Sequence, residues 1–125
     1  MEKIEFRHYK SSASDFPLVI AVSTKSATLP DLSDVEFDFH DVSSGGTTAQ
    51  ILKFVSDAAQ SASLTVPRPA SSCDMMFTIQ VAFPAASDEP LQVSFKPATG
   101  SALRNSIKPD DVPIVFGNYV IQFRA

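Results

Sequence analysis

Tryptophan is absent, and cysteine occurs once, at Cys73, in a chain of 125 residues. A single thiol rules out an intrachain disulfide, so no covalent staple can stand in for a core. No apolar run approaches the ~20 residues that a membrane-crossing helix needs. Basic residues are few and dispersed: ten Lys and Arg against fourteen Asp and Glu, for a net charge of −4. Phosphate recognition needs clustered cations, so nucleic acid is not expected as the main partner. The phosphate-cradling patterns G-x-x-x-x-G-K-[ST] and G-x-G-x-x-G are missing, as is the G-x-S-x-G nucleophile elbow. Only two histidines, His8 and His40, are available as bases. The expectation is a non-enzymatic chain with no catalytic, cofactor-binding or metal-ligating residues and no cofactor.

What is present is apolar and aromatic. Hydrophobic residues make up 44% of the chain, including ten Phe and two Tyr, and charged residues only 19%. That composition is globular, and the length fits one domain spanning residues 1–125. The opening MEKIEFRHYK is charged and alternating, unlike a signal peptide. A soluble protein of the virion or cytoplasm, with no membrane partner, is expected.

The strongest helical period lies in GGTTAQILKFVSDAAQSAS, from Gly45 to Ser63. At 100° per residue Ile51, Leu52, Val55, Ala58, Ala59 and Ala62 share one arc, with Phe54 at its edge. Thr47 and Gln50 have the spacing of a capping box. The pattern predicts one central amphipathic helix near 47–63.

Elsewhere the period is two. Lys3–Tyr9 places Ile4 and Phe6 on one face, with His8 following them inward. Leu18–Ser23 is apolar on both faces. Asp34–Asp41 alternates Val35, Phe37 and Phe39 with Glu36, Asp38 and His40. A short strand is expected over Leu64–Val66. Met76–Phe83 and Leu91–Lys96 read as a hairpin joined by PAASDEP. Residues 97–109 read as irregular, with one helical turn around Ala102–Ile107. Gly117-Asn118, between two apolar runs, reads as a two-residue hairpin turn. The expected class is α+β and β-rich: about six mostly antiparallel strands, as a sandwich or a strongly curled sheet, around the one helix.

That arrangement leaves apolar surface uncovered. Six strands at ~4.8 Å spacing are ~25 Å wide, whereas one helix is ~10–12 Å across. The rest must be covered by the sheet folding over, by curling, or by a second copy of the chain.

Candidate chemistry is sparse. Glu36, Asp38 and His40 share a strand face, where two carboxylates and an imidazole could take a divalent cation or act as an acid–base pair. A solvated, charged strand face is the commoner reading. The loop Ser43–Thr48 could offer backbone N–H groups to an anion if it opens a helix, although Asp41 would oppose one. Cys73 has no base beside it in sequence, so an ordinary thiol is expected. The row Phe77, Phe83, Phe95, Phe116 and Phe123 could line a cavity, but at this spacing it reads as core. The functional expectation is a self-associating structural subunit, of the kind found as viral or phage coat, vertex or decoration proteins. The alternative is a small acidic partner- or ligand-binding module, such as an adaptor, an inhibitor or an immunity-type protein. The partner expected first is the chain itself, with another protein second.

Overall fold

The computed structural model describes residues 3–125, and among them it contains no α-helix. Eleven strands form two sheets: β1 (Lys3–Ser12), β2 (Leu18–Ser23), β3 (Asp31–Leu32), β4 (Val35–Asp41), β5 (Thr47–Leu52), β6 (Val55–Ala58), β7 (Ser61–Val66), β8 (Cys73–Ala82), β9 (Leu91–Lys96), β10 (Leu103–Ile107) and β11 (Ile114–Arg124). The first sheet runs β1-β11-β8-β4-β5, with β3 alongside β8; the second runs β10-β9-β2-β7-β6. All pairings are antiparallel except β1 with β11, which are parallel. Both sheets turn an apolar face inward, and each covers the other.

The core is a lattice of period-two residues. Phe37, Phe77 and Tyr119 sit side by side on β4, β8 and β11. Their rings stack, with centroids 4.1 Å apart for Phe37–Phe77 and 5.3 Å for Phe77–Tyr119. Phe95, on β9 of the opposite sheet, meets Tyr119 edge-on at 5.3 Å and Phe77 edge-on at 6.4 Å. Leu18, Ile20 and Val22 on β2 and Leu91 and Val93 on β9 fill the second sheet's side and are essentially inaccessible.

The expected helix at 47–63 does not exist. Its residues are divided among β5, β6 and β7, and β5 and β6 are the edge strands of the two sheets on one side of the sandwich. Gly45-Gly46 is a hairpin turn rather than a helix entry. Gly45 has φ +73°, Gly45 N–H donates to Asp41 O at 2.9 Å, and Asp41 N–H donates to Gly46 O at 2.8 Å. Thr47 then pairs with His40 and Leu52 with Val35, so the supposed capping box is the start of a strand. The apolar arc is real in sequence, but it does not face a core: Ile51 is 59% exposed and Val55 66%. Only Ala62 of the six is buried, because β7 alone lies inside its sheet. The α+β class is thereby replaced by an all-β sandwich.

Three turn assignments change as well. Gly117-Asn118 lies in the middle of the unbroken strand β11. A Cβ on Gly117 would come within 2.7 Å of Ile107 Cδ1 and 2.9 Å of Tyr119 Cε2. The glycine makes room for β10 and for the Tyr119 ring, rather than for a turn. β8 and β9 are not a hairpin, since PAASDEP carries the chain from the first sheet to the second. The segment around Ala102–Ile107 is β10, paired antiparallel with β9.

Strand β1 also faces the other way. Ile4 and Phe6 point outward, 58% and 53% exposed, and His8 is exposed with its ring 4.8 Å from that of Phe6. The inner side of the same half-strand carries Glu5, ion-paired with Lys3 at 3.5 Å and Arg7 at 3.9 Å. The strand reaches the core only further along, at Tyr9, whose ring lies 5.4 Å from Phe95.

Gly117→Ala should therefore lower stability by about 1–3 kcal/mol, the usual cost of forcing an extra carbon into packed surroundings. Urea unfolding followed by circular dichroism measures this. A change close to neutral would show that Ile107 and Tyr119 do not fill the space beside Gly117.

Candidate functional site

The polar residues singled out in sequence fall in two places on the first sheet. Glu36, Asp38 and His40 do share one face of β4, the outer one, while the alternate residues Val35 and Phe37 are buried and Phe39 is partly buried. His40 Nδ1 lies 3.0 Å from Thr47 Oγ1 on β5. Among the described residues, no three His, Cys, Asp or Glu side chains are grouped closely enough to hold a metal ion.

Asp41 does something else. Its Oδ1 accepts from Ser43 N–H at 2.8 Å, Ser43 Oγ–H at 2.7 Å and Ser44 N–H at 3.0 Å, and its Oδ2 accepts from Ser71 Oγ–H at 2.8 Å. The N–H groups considered for an anion are thus already taken, those of Ser43 and Ser44 by the protein's own carboxylate and those of Gly45 and Gly46 by Asp41 O and Ser44 Oγ. This places Asp41 at a junction. It closes the β4–β5 turn and ties it to the segment leading into β8, where Val42 N–H also donates to Ser72 O at 3.1 Å. The chain end joins here too, with Arg124 ion-paired to Asp74 at 3.0 Å and Ala125 N–H donating to Ser72 Oγ at 2.9 Å. The hydrogen bonds from Ser43, Ser44 and Ser71 hold the Asp41 carboxyl far below the ordinary carboxylate range.

Cys73 is buried beside this junction. Its thiol is pushed up by burial first and by the Asp74 and Asp41 charges second, which disfavours the thiolate a nucleophile requires. Of the phenylalanine row, Phe77, Phe83, Phe95 and Phe123 are core, and Phe116 lies half-buried on the outer face. Most of their surface is packed in the core, although Phe77 also reaches the floor of the outer-face depression and Phe83 borders a surface cleft. A groove of about 410 Å³ opens between the β4–β5 hairpin and the 67–71 loop, with Phe39 in its wall and Arg68 at its rim. Among the described residues Arg68 makes no ion pair.

The most distinctive surface is the outer face of the first sheet. One row crosses four strands: His8 on β1 is in register with Val120 on β11, Val120 with Met76 on β8, and Met76 with Asp38 on β4. The row beside it begins Phe6, Asn118, Thr78, where Thr78 Oγ donates to Asn118 Oδ1 at 2.6 Å. A shallow depression of about 490 Å³ runs over these rows, edged by Asp34, Glu36 and Asp38. Met76 is 45% exposed within it. Among the described residues Glu36 and Asp38 have no cationic partner, while Asp34 pairs with Lys53 at 3.6 Å. Sequence alternation groups these residues strand by strand. It holds no signal for which strands lie side by side, so the row itself is out of its reach.

Comparison with protein-family models, with curated proteins and with solved structures finds no match for this chain.

The Asp41 junction makes a direct prediction. A carboxyl with a depressed native pKa stabilises the fold above its unfolded value, and that contribution is lost as pH falls towards the native value. Asp41→Asn should lower the midpoint of thermal unfolding by several degrees at pH 7. The gap to the unaltered protein should hold down to pH ~5 and then shrink steadily below the ordinary carboxyl pKa of ~4. Melting curves across pH test this, and a gap that persists unchanged at pH 2 would be incompatible with it.

Proposed function

We propose that this protein is a non-enzymatic, self-associating structural subunit. The observation that carries the reading is the outer face of the first sheet, where Ile4, Phe6 and Met76 stand exposed together around a centre without charged side chains. Sandwich proteins that work alone usually solvate such a face with polar side chains. The open side of the sandwich supports the same reading. Edge strand β5, TTAQIL, carries no charge and no proline and is exposed along nearly its whole length, and β6 beside it adds Val55. Edges of this kind pair readily with further strands unless something protects them. Coat, vertex or decoration proteins of viruses and phages are the kind of assembly in which such a subunit would serve.

A second reading, a ligand-binding module, is favoured by one observation: the Phe39 groove lined also by Arg68, which makes no ion pair among the described residues. Such a site would suit a small molecule with an apolar body and an anionic group. Thermal-shift titration with aromatic carboxylates separates it from the first reading, because occupancy would raise the midpoint without changing the particle size.

The leading reading is tested by sedimentation velocity and light scattering over a wide concentration range. A dimer or larger closed species is expected. A monomer at the highest attainable concentration would overturn it.

A further inference from the structure

From the row His8–Val120–Met76–Asp38 we infer that the first partner of this chain is a second copy of itself, docked face to face through the outer surface of the first sheet about a two-fold axis parallel to the strands. The inference rests on the self-association reading and gives it a specific surface. The row is base, apolar, apolar, acid across β1, β11, β8 and β4. A two-fold axis running between β11 and β8 reverses the strand order of the facing copy and leaves the level along the strands unchanged. His8 of each copy then lies over Asp38 of the other, and Val120 over Met76. The row is complementary to its own reversal, which is what an isologous contact requires. Asn118 and Thr78 in the neighbouring row exchange places in the same way, and Phe6 comes to lie over Glu36.

The alternative axis, perpendicular to the strands within the interface, sets β1 over β1 and β4 over β4. That arrangement would bring Glu36 and Asp38 of the two copies together with no cation between them. In the His8–Asp38 row, pairing of base with acid therefore favours the first axis over the second. Sheets packed face to face sit ~10 Å apart and rotated by ~30°, so contact concentrates at the centre of the face and thins towards the strand ends. The residues at that centre are Val120, Met76, Asn118 and Thr78, which are uncharged. The exposed Phe6 flanks them and can lie flat against the facing sheet.

The test is a charge exchange at the rim combined with a block at the centre, read by sedimentation equilibrium, with circular dichroism to confirm that each variant is folded. All three substituted positions lie on the outer face, so their substitution leaves the core untouched. Met76→Lys should abolish the dimer, since it sets an ammonium against the Val120 surface of the other copy. Asp38→Lys should weaken it by about tenfold or more, the effect of a change near 1.4 kcal/mol. The double variant His8→Glu with Asp38→Lys, which exchanges acid and base between the two positions, should recover most of that loss. An oligomer that forms normally in Met76→Lys and Asp38→Lys would overturn this face as the contact while leaving self-association intact. A monomeric unaltered protein would overturn both. A double variant as weak as Asp38→Lys alone would overturn the proposed axis.

Discussion

The stacking of Phe37, Phe77 and Tyr119 across three neighbouring strands, met edge-on by Phe95, is the contact on which the sandwich depends. Three large rings side by side set the register of β4, β8 and β11 together, because a slip of one residue would turn each ring to the solvent. The fourth ring, from β9, ties that register to the opposite sheet. At either end the same inner row becomes polar, with Arg7 on β1 and Gln50 on β5. The core therefore ends where the rings end. Tyr119 carries the one polar atom of the cluster, and its hydroxyl donates to Asn105 on β10 at 2.8 Å. Burial pushes that phenol well above its ordinary range, so it stays a neutral donor.

This boundary explains what is legible in the sequence. β4, β8 and β9 alternate cleanly because one face of each is buried and the other wet, and burial is what imposes a period of two. β5 and β6 lie outside the aromatic row and have neither face buried, so nothing forces their residues to alternate. Their apolar side chains fall without constraint, and together with those of β7 they fit a helical arc by coincidence. The β-branched Thr47, Thr48, Ile51 and Val55, together with the turn from Asp41 to Gly46, are the local strand and hairpin signals that the arc outweighs. β1 shows a different limit. Alternation correctly groups Ile4, Phe6 and His8 on one face, but it cannot say which face looks inward. Hydrophobicity points to the core, whereas the structure turns that face to the solvent. Gly117 misleads for a third reason: a glycine that admits a neighbouring side chain and a glycine that turns the chain look alike in sequence.

The candidate surface is less legible than the fold. Alternation places Glu36, Asp38 and His40 correctly on one face of one strand, but their partners on β1, β11 and β8 come from distant parts of the chain. β1 and β11 are adjacent only because the first and last strands pair in parallel. That single pairing sets His8 and Phe6 beside Val120 and Asn118, and so completes a row running from base to acid.

The two-sheet architecture also changes what self-association would mean for this protein. With one helix as the only cover, much of the apolar sheet surface would need a second copy simply to stay folded. With two sheets covering each other, Phe37, Phe95, Leu18 and Ile121 are already inaccessible within one chain. The surplus apolar surface is therefore outside the core, on the outer face and the open edge, where it contributes nothing to closing the sandwich. The residues that close the sandwich are not those of the proposed contact. The two faces of a strand such as β8 serve different ends. Phe77 and Ile79 hold the sandwich together, while Met76 and Thr78, one position away, are free to face another molecule. Were two copies to associate through that face as proposed, their separation would expose no part of the core, because the core is closed within one chain.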